Sequence, residues 1–153
     1  MIPKFRAYDS SSYKRMYQPD EVMVGNGDIW IIDEDDVAGG WIVNNDLNLM
    51  QSTGLFDKNG KEIFEGDILK VANNDSSWFE VVKCDRNKAM FISKEMNLKY
   101  EVPETPLYDL FSPYLFKVEV IGNIWEDGDL IDGKKANVKA RIYENPELLE
   151  EKQ

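Results

Sequence analysis

Hydrophobic residues occur in short runs separated by turn residues, and almost none recur at helical spacing. Phe5, Ala7 and the stretch Tyr13 to Tyr17 flank a polar turn at Asp9–Ser12, which predicts a hairpin. Glu21-Val22-Met23-Val24 and Asp28-Ile29-Trp30-Ile31-Ile32 flank Gly25-Asn26-Gly27. That turn needs positive φ at low steric cost, so a second hairpin is expected. Gly39-Gly40 leads into the short strand Trp41-Ile42-Val43. Leu47, Leu49 and Gln51 alternate with polar and apolar neighbours, which suits a strand with two unlike faces, broken at Thr53-Gly54. Leu55-Phe56 and Ile63-Phe64 bracket a tight connection through Asn59-Gly60, and Glu65-Gly66-Asp67 is a sharp bend into Ile68-Leu69-Lys70-Val71.

The second half continues in the same way. Phe79 to Cys84 pairs with Ala89 to Ile92 across Asp85–Lys88, and Tyr100 and Val102 end a shorter strand. Leu107 to Phe111, between Pro106 and Pro113, is either a single helical turn or an irregular apolar plug. Phe116 to Ile121 alternates as a strand, and residues 126–137 form a charged, glycine-containing excursion. Val138 to Tyr143 is a further candidate strand. Asn145-Pro146-Glu147 opens a short C-terminal helix, with an N-cap, proline at N1 and acids in the first turn. Roughly ten short strands without helical periodicity predict an all-β fold of short antiparallel strands with an SH3-like barrel portion. The expected division is an N-terminal β region over residues 1–46 and a barrel region over 47–153, unless the two form one intertwined domain.

Composition narrows the chemistry. The chain of 153 residues is 42% hydrophobic, enough for a core, and no apolar run reaches the roughly 18 residues of a membrane span. Cys84 is the only cysteine and there is no histidine. An internal disulfide and any serine–histidine or cysteine–histidine nucleophile within the chain are therefore excluded. With no signal-peptide pattern at the start, a reducing cytoplasm is the expected location.

The net charge of −11 is unevenly placed. No Lys or Arg occurs between Met16 and Asp57, a stretch holding Asp20, Glu21, Asp28, Asp33, Glu34, Asp35, Asp36, Asp46 and, at its end, Asp57. Such a surface repels phosphate backbones, so nucleic-acid binding is disfavoured. The acidic loop Asp33-Glu34-Asp35-Asp36 is either a solvated face or a surface for a basic partner, or it mimics a nucleic acid. As a metal site it is poor: consecutive carboxylates diverge, and Ala38 stands where an EF-hand loop needs glycine. Gly25-x-Gly27 lacks the third glycine and the helix of a dinucleotide site. No cofactor, metal or catalytic constellation is expected. Trp78 follows a polar loop and is the tryptophan expected to be most exposed. With the acidic loop, it makes up the candidate interaction surface.

Three segments resemble the YopX family of phage and prophage proteins from low-GC Gram-positive bacteria. They are K-F-R-A-Y-D at Lys4–Asp9 with K-R-M at Lys14–Met16, the long run L-M-Q-S-T-G-L-F-D-K-N-G-K-E-I-F-E-G-D-I-L-K-V at Leu49–Val71, and V-I-G-N-I with Y-E-N-P-E-L-L near the end. Here Gly122-Asn123-Ile124 is separated from Tyr143-Glu144-Asn145-Pro146 by an inserted excursion, a departure from the family pattern. The resemblance implies a mostly β fold with an SH3-like barrel portion and a phage origin, and it brings no catalytic residues. The expected function is a non-catalytic protein-interaction module in the bacterial host cell, with a homo-oligomer as the expected assembly. A nucleic-acid-binding small barrel is the alternative.

Overall fold

The strand-rich pattern folds as antiparallel sheets in two units, Met1–Leu55 and Phe56–Gln153. This is a computed structural model, in which residues 2–96, 101–112 and 115–131 are described.

In the first unit, β1 (Phe5–Asp9) lies between β2 (Arg15–Tyr17) and β6 (Asn48–Phe56), with Ala7 opposite both Tyr17 and Leu49. A separate three-stranded sheet has the order β3 (Val22–Gly25), β4 (Asp28–Ile32), β5 (Trp41–Val43). The β3–β4 connection is the expected two-residue turn. Asn26 at φ 53° and Gly27 at φ 78° take the left-handed positions whose twist matches the flanking strands. Ala7, Tyr17, Val22, Ile31 and Leu47 form the core of this unit. The expected break at Thr53-Gly54 does not occur, since β6 runs on to Phe56. Gly54 takes φ 78°, and the Ser52 and Thr53 hydroxyls accept the Gly54 and Leu55 amides at 3.1 Å each, so the backbone bends without losing its partners.

The second unit opens with the Asp57–Lys61 turn and β7 (Glu62–Phe64). Its main sheet has the order β11-β10-β9-β8-β12, all antiparallel. The strands are β8 (Asp67–Ala72), β9 (Ser77–Asp85), β10 (Met90–Glu95), β11 (Thr105–Pro106) and β12 (Lys117–Asn123). This curled sheet is the SH3-like portion of an all-β fold. A register shift between Val120 and Gly122 bends β12. A Cβ on Gly122 would stand 2.5 Å from the Asp127 carboxylate, which explains a glycine at this point of V-I-G-N-I. The following Asn123 accepts the Trp125 and Glu126 amides through Oδ1, at 3.0 and 2.9 Å, and so turns the chain.

Two expectations change in this unit, and one open alternative is resolved. Val102 is outside any strand and Tyr100 lies outside the described residues; the short edge strand is Thr105–Pro106, a position where proline is tolerated. Leu107–Phe111 is a 3-10 turn with Leu107 and Leu110 buried. The start of the charged excursion is packed structure: Gly128–Ile131 is a 3-10 turn that places Leu130 (2% exposed) among Ile68, Phe79 and Val81. The strand expected at residues 138–143 and the helix at 145–151 lie outside the described residues.

Candidate interaction surface

The acidic residues of the Asp33–Asp36 loop do different things. Asp33 Oδ1 accepts the Asp35 amide at 3.0 Å, and Asp36 accepts the amides of Ala38 (2.9 Å) and Gly40 (3.1 Å). Both side chains therefore shape the loop, as short acidic side chains do in turns. Glu34 pairs with Arg15, which also contacts Glu21 at 2.6 Å and stacks 4.3 Å above the Tyr17 ring. Asp35 points to no basic partner among the described residues. Among those residues, no three acid or cysteine side chains cluster as a metal ion needs.

Trp78 is not the most exposed tryptophan. It is half-buried, its indole N–H donates to Glu80 Oε2 at 2.8 Å, and its ring meets Phe116 edge-on at 6.0 Å. The polar loop before it ends at Asn73–Ser76, where the Asn73 side chain gathers the Asp75 and Ser76 amides, so the strand has already begun at Trp78. Trp78 lies in the second unit and the acidic loop in the first.

An exposed apolar surface with two tryptophans is on β3–β4–β5. Cross-strand pairing aligns Met23, Trp30 and Val43 in one row and Val22, Ile31 and Ile42 in the next, on opposite faces. The second row turns Val22 and Ile31 into the core of the unit. The first row faces outward: Met23 is 46% exposed, Val43 43% and, beside it on the same face, Trp41 37%. Trp30 is half-buried, with its indole N–H bonded to the Gly25 carbonyl at 3.3 Å. Met23, Val24, Gly25, Asn26, Trp30 and Trp41 line an apolar groove of about 310 Å³. Sequence reasoning missed this face, although its signal was present: none of the three strands alternates apolar with polar. Such runs belong to sheets covered on both sides, and here the Met23–Trp30–Val43 side is uncovered and the other is covered at Val22 and Ile31 but not at Val24 and Ile42.

Five further titratable groups, Asp57, Asp67, Glu80, Cys84 and Glu95, belong to the second unit. Glu80 is buried and is the cross-strand partner of Glu95. One Glu80 oxygen holds the Ser93 hydroxyl at 2.7 Å and the other the Trp78 indole, so neither is available to a substrate. Burial, then the nearby Glu80 charge, push the Glu95 carboxyl above its ordinary range. Burial and then Glu65 push the Cys84 thiol up, which leaves it a poor nucleophile at neutral pH. Asp57 and Asp67 hold the backbone. Asp57 accepts the amides of Asn59 (2.9 Å), Lys61 (2.8 Å) and Val120 (2.9 Å), and Asp67 accepts that of Phe64 at 2.8 Å. At Asp57 burial works to raise the carboxyl, but the three amides with Lys61 outweigh it and the net direction is down.

The YopX protein family matches the chain over residues 4–132. The chain belongs to the YopX family. Two crystal structures share its fold. Protein EF1440 from Enterococcus faecalis is 26% identical, with 86% of this chain and 99% of that one covered and a TM-score of 0.54. Protein yopX from Bacillus subtilis is 19% identical, with 84% and 98% covered and a TM-score of 0.55. No curated protein matches the chain. The family signature in the Leu49–Val71 run thus coincides with β6, the Asp57–Lys61 turn, β7, the Gly66 bend and β8.

Proposed function

We propose that this YopX-family protein is a non-catalytic protein-interaction module of phage or prophage origin, acting in the bacterial cytoplasm. It takes its partner on the outer face of β3–β4–β5. The observation that carries this reading is the uncovered row Met23–Trp30–Val43 with Trp41 beside it, apolar and grooved. Exposed apolar patches of this kind mark association sites, and tryptophan and methionine are enriched in them. The anchoring roles of Asp57, Asp67 and Glu80 support the absence of catalysis, because the most buried acids are committed to backbone and side-chain donors. The acidic stretch weighs against a phosphate-backbone ligand.

The test compares partner capture by the wild type with capture by Met23→Asp and Trp41→Ser, each first shown to be folded by circular dichroism. Capture that is lost in both variants supports the reading. Capture that survives both removes this face from the function. Light scattering on the purified chain reports the assembly in the same experiment. A dimer or larger species that both substitutions dissolve makes the partner a second copy.

A further inference from the structure

The outer edge of β5 narrows the class of partner, an inference that rests on the placement of the partner on this sheet. In the order β3-β4-β5, β5 is an end strand, and among the described residues no strand pairs with its outer side. The Asn44 amide donates to the Ile29 carbonyl and the Asp33 amide to the Gly40 carbonyl, both at 2.9 Å. The β5 positions that bond inward to β4 are therefore Gly40, Ile42 and Asn44. Antiparallel ladders alternate, so Trp41 and Val43 direct their N–H and C=O groups outward from the sheet. Strand edges are usually blunted by lysine, proline or a covering segment. Among the described residues β5 has none of these: its three residues, Trp41, Ile42 and Val43, are all exposed.

Charge selects what this edge accepts. Acidic loops adjoin both ends of β5, with Asp33, Asp35 and Asp36 before it and Asp46 after it. Arg15, the last cation before this stretch, is held by Glu21 and Glu34 and stacked on Tyr17. A second copy of this chain offering the same edge would bring its own acids against these. A basic segment would instead neutralise them. We propose that an extended, lysine- or arginine-rich segment of a partner protein adds to β5 as a fourth strand. Its backbone bonds to Trp41 and Val43, its apolar side chains extend the outward face beside Trp41 and Val43, and its cations face Asp35 and Asp46. Main-chain bonding of this kind supplies affinity, and alternate side chains supply specificity.

The test uses two blocked decapeptides, (Lys-Val)5 and (Glu-Val)5, titrated into the 15N-labelled full chain with amide shifts as readout. The lysine peptide is expected to move the Trp41 and Val43 amides, and to bind several-fold more weakly as salt rises past the roughly 10 Å screening length of 0.1 M. Val43→Pro removes one outward N–H and leaves the inward ladder of β5 intact, as proline permits at an edge. It is expected to weaken binding about fivefold or more, the size of one lost hydrogen bond. Asp35→Lys with Asp46→Lys alters no backbone group and is expected to weaken binding comparably. Equal binding of the glutamate peptide, no effect of both variants, or Trp41 and Val43 shifts that depend on protein concentration alone would overturn the proposal. If Val43→Pro binds as the wild type while Met23→Asp does not, the edge fails and the face stands. If Met23→Asp also binds normally, both fail.

Discussion

β8 and the β3–β5 sheet are built from the same kind of residue and end differently. In β8 the neighbours Ile68 and Leu69 point to opposite faces, and both are 0% exposed. In β3 the neighbours Val22 and Met23 also point to opposite faces, but only Val22 is buried. Unbroken apolar character is a stability feature where both faces are covered. Where one face is open to water, the same character is a binding surface. The comparison teaches that a run such as Trp41-Ile42-Val43 has no fixed meaning until its neighbours are placed.

The largest expected effect tests that contrast directly. Leu69→Ala removes a fully buried side chain and should cost about 2–5 kcal/mol in urea unfolding. Met23→Ser should change stability by no more than about 0.5 kcal/mol, as exposed positions do. A Met23 variant as damaging as the Leu69 variant would mean that its face is part of the core, and the comparison would collapse.

The Asp57 anchor comes next. Asn at 57 keeps one acceptor oxygen for three amides, so Asp57→Asn should cost about 1–3 kcal/mol at pH 7. The carboxyl is held below its ordinary value of 3.8 in the fold. Its contribution is therefore complete above that value and is lost as pH falls through the folded pKa. The gap between wild type and variant should close in strong acid, measured by thermal melts across pH. A gap that is constant with pH would deny the amides their role.

The β3–β4 turn gives a smaller effect. Gly27 sits at φ 78° with open space around it, so Gly27→Ala meets backbone strain alone and should cost about 1 kcal/mol. Gly25→Ala, with no positive φ and nothing within 4 Å, should cost much less in the same melts. Equal costs would show that the turn does not need its left-handed residue.

Glu95→Gln should show the smallest change, with the opposite sign. Glu95 is raised above its ordinary 4.5 by burial and by Glu80. The unfolded chain then loses this proton first, and stability falls as pH rises from 4.5 through the folded value. The glutamine variant should be more stable than the wild type at pH 7 and equal to it in acid. A loss of stability at pH 7 would mean that Glu95 has a favourable partner.

Much of the fold was readable in advance because turns are local. Gly25-Asn26-Gly27, Asn59-Gly60 and Gly66-Asp67 each demand a backbone shape few other residues adopt, and β3–β4, the Asp57–Lys61 turn and the entry to β8 follow. Thr53-Gly54 misled for a related reason: a glycine at positive φ reads as a stop, while two hydroxyls let the strand continue. The candidate surface was only partly readable. Asp33–Asp36 was visible as charge, but its division into loop-shaping and outward-facing acids depends on hydrogen bonds to Ala38, Gly40 and Arg15. Trp78 was misjudged because its fate depends on Glu80 and on Phe116, which lies 38 positions further along the chain.

The sequence by itself determined an all-β chain, the positions of its tight turns, its resemblance to a family, and a stretch between Met16 and Asp57 without cations. The turns and the charge follow from short-range backbone preference and simple counts, and the family follows from the match of particular segments. Only the tertiary structure decided which apolar face is covered, that Leu130 belongs to a core, that Asp57 reaches Val120, and that β5 is an end strand of its sheet among the described residues. Those outcomes depend on pairings between residues far apart in the chain, where burial is set by what arrives on the other side and not by the residue's own preference.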